Sequence, residues 1–161
     1  MNPSYFRIKL PKAESIKRLC DWNSKMPKEA IETTLGNAVT VSLNENGQWK
    51  GSCLYVYEND EWTVFEDLSG GYSDIPIESW KNFSGNYDLV VAGYNDAVIF
   101  AELKIISNGM IQKDFLESMV IPEDDVNIGA LPAGIDSWTD VAAFVDDDEI
   151  VYSEHGTVLI F

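Results

Sequence analysis

A single histidine, His155, stands between Glu154 and Gly156. Nucleophilic catalysis of the Ser-His-Asp or Cys-His kind has to use that imidazole, since the chain holds no other. No Gly-x-Ser-x-Gly elbow accompanies it, and Ser153-Glu-His-Gly156 reads as a surface turn. Paired carboxylates for glycosidase-type acid–base work are unspecific here, because 27 acids always offer pairs. Acids concentrate at Glu123–Asp125 and Asp146–Glu149. Neither run has the alternating oxygens, central glycine and terminal bidentate glutamate of a calcium loop. The second run directly follows a predicted helix, where negative charge opposes the helix dipole, so a cation or a basic partner would relieve it. Ser69-Gly-Gly71 lacks the Gly-Lys-Ser/Thr continuation of a phosphate loop. These residues point to no enzyme, no cofactor and no metal.

One constellation suits recognition instead. Glu66-Asp-Leu-Ser-Gly-Gly-Tyr-Ser-Asp74 joins acids, glycines and a tyrosine in one loop. Tyr94-Asn-Asp96 sets a tyrosine and an acid in a tight connection between two strands. Aromatic anchors amid charged and hydrogen-bonding groups are what specific protein interfaces use. The candidate partner-binding residues are Glu66, Asp67, Tyr72, Asp74, Tyr94, Asn95 and Asp96, with the acids steering and exposed Tyr72 and Tyr94 anchoring. The opposing reading makes both tyrosines sheet-edge packing residues beside solvated acids.

Charge narrows the class of partner. The 161 residues include 11 basic and 27 acidic side chains, for a formal net charge of −16. The first 50 residues carry eight Lys/Arg against five acids, and the remaining chain three against 22. Phosphate contacts need clustered Lys and Arg, so nucleic-acid binding is excluded. A surface this acidic speeds encounters with cationic partners. No stretch of 18 apolar residues is present, which excludes a membrane helix. The N-terminus lacks the apolar core of a secretory signal, so a cytoplasmic location is expected. Cys20 and Cys53 fall on different predicted elements and read as reduced core thiols.

The length fits one domain, residues 1–161. Ser4–Leu10 is extended, and Lys12–Trp22 reads as an amphipathic helix with Ile16, Leu19 and Cys20 inward and Lys17, Arg18 and Asp21 outward. Residues 23–37 read as loop. Val39, Val41 and Leu43 alternate as a strand, followed by strands at Trp49–Tyr57 and Trp62–Leu68 in an antiparallel meander. Pro76 opens a short helix carrying Ile77, Trp80 and Phe83. Tyr87–Gly93, Ala97–Ile106 and Met110–Leu116 are strands, the last two joined by an Asn108-Gly109 turn. In Ala97–Ile106 one face is wholly apolar and the other, with Glu102 and Lys104, partly wet; the strand is therefore central. Residues 117–134 read as loop. Asp136 or Ser137 caps a helix with Trp138, Val141, Ala142 and Val145 on one side. Ile150–Tyr152 and Thr157–Phe161 close the chain as a hairpin. The expected fold is α+β: a largely antiparallel sheet of about eight strands, possibly in two layers, with about three packed helices.

Several phrases carry a resemblance: Trp62-Thr-Val-Phe-Glu-Asp-Leu-Ser-Gly-Gly71, Leu89-Val-Val-Ala-Gly-Tyr-Asn-Asp-Ala97, Val126-Asn-Ile-Gly129 and Trp138-Thr-Asp-Val-Ala-Ala-Phe-Val-Asp146. Over roughly residues 38–152 the chain resembles small acidic bacterial proteins of the toxin-immunity type, found beside polymorphic or contact-dependent toxins. The resemblance implies a cytosolic antidote that binds a cognate toxin domain, often a basic nuclease, and blocks its active site. The acids would then meet the cations that such a toxin uses for its substrate. Two other readings stand beside it: an interaction or regulatory module with a non-toxin partner, and a small hydrolase working through carboxylates.

Overall fold

In the strand Cys53–Asn59 the first five side chains are all buried. Successive residues of a strand point to opposite faces, so this pattern requires cover on both sides. The computed structural model, which describes residues 4–147 and 154–161, supplies that cover. Its strands are β1 (Ser4–Ile8), β2 (Glu29–Thr34), β3 (Cys53–Asn59), β4 (Trp62–Asp67), β5 (Leu89–Asn95), β6 (Phe100–Ser107), β7 (Met110–Ser118), β8 (Val126–Ile128) and β9 (His155–Ile160). Its helices are α1 (Lys12–Asn23), α2 (Leu35–Ser42), α3 (Ile77–Ser84) and α4 (Trp138–Asp147). Every described strand pair is antiparallel, in the order β2-β9-β3-β4-β1-β5-β6-β7-β8. The fold is α+β and mostly sheet, as expected, with one more strand and one more helix among the described residues.

One continuous sheet, rather than two layers of sheet, lies between two helical layers. Helices α2 and α4 cover the face formed by Tyr5, Tyr55, Tyr57, Val64, Leu103 and Val158. Helices α1 and α3 cover the face formed by Phe6, Leu54, Val56, Phe65, Val91 and Leu159. On that second face Phe6 and Phe65 stack at 4.6 Å, and Trp80 meets Phe6 at 4.9 Å. Large aromatic areas removed from water dominate the stabilisation there.

The structure corrects several expectations. Val39 and Val41 lie in α2, not in a strand. Leu35, Ala38, Val39 and Ser42 recur at helical spacing toward the sheet, and burial of that stripe outweighs the weak helix propensity of the β-branched residues. With that strand gone the meander shrinks to the β3–β4 hairpin, and the strand after Trp49 begins at Cys53. Within 23–37 lies β2, whose partner among the described strands is β9 at the far end of the sequence. Residues 96–99 form a turn before β6 starts, and 117–134 contain a 3-10 turn and β8. His155 and Gly156 belong to β9 rather than to a turn, and β9 inserts between β2 and β3. The expected strand at Ile150–Tyr152 lies outside the described residues. Arg18 is half-buried rather than outward: it donates to the Phe83 carbonyl and sits over the Tyr87 ring.

The β6–β7 hairpin forms as expected. Asn108 and Gly109 both take positive φ (50° and 76°), the geometry of a tight hairpin turn. Strand β6 has neighbours on both sides and its apolar residues Ala101 and Leu103 are fully buried. Its other face is not wet, however. Glu102 and Lys104 are 1% and 3% exposed.

Candidate functional site

Asp67 ends β4 and turns its carboxylate back into the loop that follows. One oxygen accepts from the Gly70 and Gly71 N–H groups at 2.9 and 3.1 Å, the other from the Tyr72 N–H at 2.8 Å. Burial pushes this carboxyl up, and the backbone N–H groups pull it back. The aspartate therefore shapes the loop from inside, much as capping residues satisfy open N–H groups at a helix start. Further along, the Asp74 N–H donates to the carboxylate of Glu102 on β6 at 3.3 Å. Asp74 itself is exposed and adopts φ +58°.

Glu102 belongs to a buried chain of charge. Lys104 Nζ lies 3.7 Å from the Glu102 carboxylate and 3.2 Å from that of Asp114. Burial pushes Glu102 up to about 7, with Lys104 holding it down and Asp74 and Asp67 adding to the rise. One lysine between two carboxylates leaves a surplus negative charge in a dry place, and partial protonation of Glu102 relieves it.

Between the Asp67–Asp74 loop and the β5–β6 connection opens a cavity of about 410 Å3. Leu68, Val98, Phe100, Val120 and Ile121 supply its apolar walls, and Asp67, Asp74 and Asn95 its polar ones. Among the described residues, no Lys or Arg lines it. The apolar walls run on to the outer surface, where Val98 is 48% exposed, Met119 63% and Val120 72%.

Of the seven candidate residues, four line this cavity: Asp67, Asp74, Tyr94 and Asn95. Asn95 closes a local turn by accepting from the Ala97 N–H at 3.0 Å, and Asp96 stays exposed at the tip. Two residues lie away from the cavity, against the expected exposure of Tyr72 and the expected grouping of Glu66 with its loop. Tyr72 is not an exposed anchor: it is 7% exposed, packs on Phe6 and Trp22, and accepts from Asn23 Nδ2 at 2.7 Å. Burial pushes its hydroxyl up to about 12. Glu66 points to the opposite face of the sheet from Asp67, among the tyrosines beneath α2 and α4, where the Tyr57 hydroxyl donates to it at 2.8 Å. Burial pushes Glu66 up to about 7. Tyr94 is half-buried, and its hydroxyl donates to Asp146 at 3.4 Å, tying the end of β5 to α4.

Sequence reasoning missed the apolar half of the cavity. The available signal was Met119-Val-Ile121, three apolar residues in a stretch otherwise read as polar loop. It also missed Glu102, which alternation placed on a wet face.

Chemically, the cavity offers acceptors and apolar wall. Its two nearest buried carboxylates, Asp67 and Glu102, spend oxygens on the loop's own backbone. His155 lies on β9 opposite Thr34, on a strand remote from the cavity lining. Among the described residues, no group of three or more His, Cys, Asp or Glu side chains is placed to hold a metal ion. No described helix is long and apolar enough to cross a membrane. No family model matches the chain, and neither a curated protein nor a solved structure gives a match.

Proposed function

We propose that this protein is a non-enzymatic binding protein of the immunity type, a cytoplasmic antidote that captures a basic toxin domain and covers its active site. One observation carries the reading. Two loops distant in sequence meet around an apolar, acid-edged cavity that, among the described residues, no Lys or Arg lines, and apolar side chains continue from it onto the open surface. Protein interfaces place apolar anchors at the centre and charged groups at the rim. The −16 net charge adds long-range attraction for a basic partner and speeds the encounter. Burial of Tyr72 moves the anchoring role to Val98, Val120 and Ile121, while Asp74 and Asp96 keep the steering role.

Co-expression with the protein encoded immediately upstream tests the reading. The expected result is rescue of growth from that protein's toxicity, with a complex that weakens as salt rises. A partner that binds without being toxic supports the regulatory-module reading instead. Absence of both rescue and complex overturns the proposal.

A further inference from the structure

The cavity's chemistry defines what enters it. Its volume falls at the small end of ligand pockets, which run from about 300 to about 1,000 Å3. Aliphatic walls from Leu68, Val98, Val120 and Ile121 suit a chain of methylenes, and the Phe100 ring suits either a methylene or a cation laid on its face. The polar side holds the Asp74 carboxylate and the Ser73 hydroxyl, together with oxygens of Asp67, Asn95 and Ser118 that already accept backbone N–H groups and keep only their remaining lone pairs for a ligand. With two acids and, among the described residues, no Lys or Arg in its lining, the cavity attracts positive charge.

We infer that the cavity is a socket for one arginine side chain presented by a basic partner protein. The inference rests on the antidote reading above for the partner's class, and on the cavity alone for the arginine. A guanidinium offers five donors in a flat fork, which matches acceptors spread over several directions better than a single ammonium does. A protein rather than a free amine fits because the apolar surface does not stop at the rim. Met119 and the outer parts of Val98 and Val120 stay uncovered by anything small enough to sit inside. The socket is held open before binding: Asp67 fixes the N–H groups of Gly70, Gly71 and Tyr72, and Glu102 fixes that of Asp74. A site shaped in advance loses less entropy when its ligand arrives.

The test needs no partner. Amide NMR spectra of the isotope-labelled protein are followed while the peptide acetyl-Gly-Arg-Gly-amide is added. A norleucine peptide of the same form and free agmatine are titrated in parallel. The expected result is saturable shifts at Gly70, Gly93, Val98 and Ser118 with the arginine peptide, and weaker binding by about fivefold in Asp74→Asn. That variant keeps the backbone N–H that meets Glu102, and the remaining amide signals report whether the fold is intact. Equal binding of the norleucine peptide overturns the inference in favour of an apolar slot. Saturation by agmatine without the peptide overturns it in favour of a small-amine site, and absence of saturable shifts overturns it outright. Rescue in the co-expression experiment together with any of these three outcomes removes the socket and leaves the antidote. Arginine-specific shifts without rescue or complex keep the socket and remove the antidote.

Discussion

The carboxylate of Glu102 and the backbone N–H of Asp74 meet at 3.3 Å across 28 positions of sequence. Glu102 stands on a buried strand face, Asp74 at the open rim of the cavity. The contact pins the rim to the sheet, and burial opposes the ionisation of the acid that makes it.

Stability should therefore fall as pH rises through neutrality. Glu66 and Glu102 are both raised from 4.5 to about 7 in the folded protein. In the unfolded chain both ionise near their ordinary value. Between about pH 4.5 and about pH 7 the folded state holds protons that the unfolded state lacks, so the slope of unfolding free energy with pH is negative. The stabilisation is full below about pH 4.5 and lost above about pH 7, by up to about 3 kcal/mol for each group. Urea melts at pH 5.5 and 8 should show the higher midpoint at 5.5. Glu66→Gln and Glu102→Gln together should flatten the difference; an unchanged slope would count against the assignment.

Leu103 is fully buried on β6, facing α4. Leu103→Ala should cost about 2–5 kcal/mol through lost burial and the cavity left behind. Denaturant unfolding measures it, and a loss below about 0.5 kcal/mol would place the side chain elsewhere.

Gly156 on β9 has no room for a side chain. A Cβ there would stand 2.6 Å from the Val56 carbonyl oxygen and 2.7 Å from the Tyr55 ring. Gly156→Ala should lower stability by at least about 1–3 kcal/mol, the range for overpacking in a well-filled core. A neutral result in thermal melts would mean that β9 does not lie between β2 and β3.

Cys20 and Cys53 are buried on opposite faces of the sheet. Burial pushes both thiols up, which lowers the thiolate fraction needed for reaction. A thiol reagent should label the native protein slowly and the urea-unfolded protein at once. Reductant and chelator should each leave the melting temperature unchanged; a drop of many degrees with either would disagree with a reduced, metal-independent fold.

With a partner in hand, acids and apolar anchors should separate kinetically. Asp74→Asn and Asp96→Asn should slow association, and the loss should shrink at high salt. Val120→Ser or Ile121→Ala should speed dissociation with little salt dependence. Tyr72→Phe should leave binding alone, because its ring is already occupied within the fold. Surface plasmon resonance at two ionic strengths distinguishes these outcomes.

Local pattern was enough wherever an element is closed by its own neighbours. Ile16, Leu19 and Cys20 announce α1, Trp80 and Phe83 announce α3, and Asn108-Gly109 announces the β6–β7 hairpin. Each is specified within one or two turns of chain, by helical spacing or by a residue pair that accepts positive φ. The two candidate loops were legible for a related reason: acids, glycines and strand ends are local features. That they share one cavity was not, because their closeness depends on β1 lying between β4 and β5.

Elsewhere the decision belonged to distant partners. Val39 and Val41 alternate like a strand and fold as helix because the face of the sheet they cover is built largely from residues beyond them. Strand β2 has no local signature, since β9, more than 120 positions later, provides its ladder. Glu102 and Lys104 look like a wet face until α3 and the Asp67–Asp74 loop fold over them. Sequence alone determined the acidity, the α+β class and the elements with self-contained patterns. Tertiary structure decided which polar residues lost their water, and with that which acids hold the fold and which remain exposed.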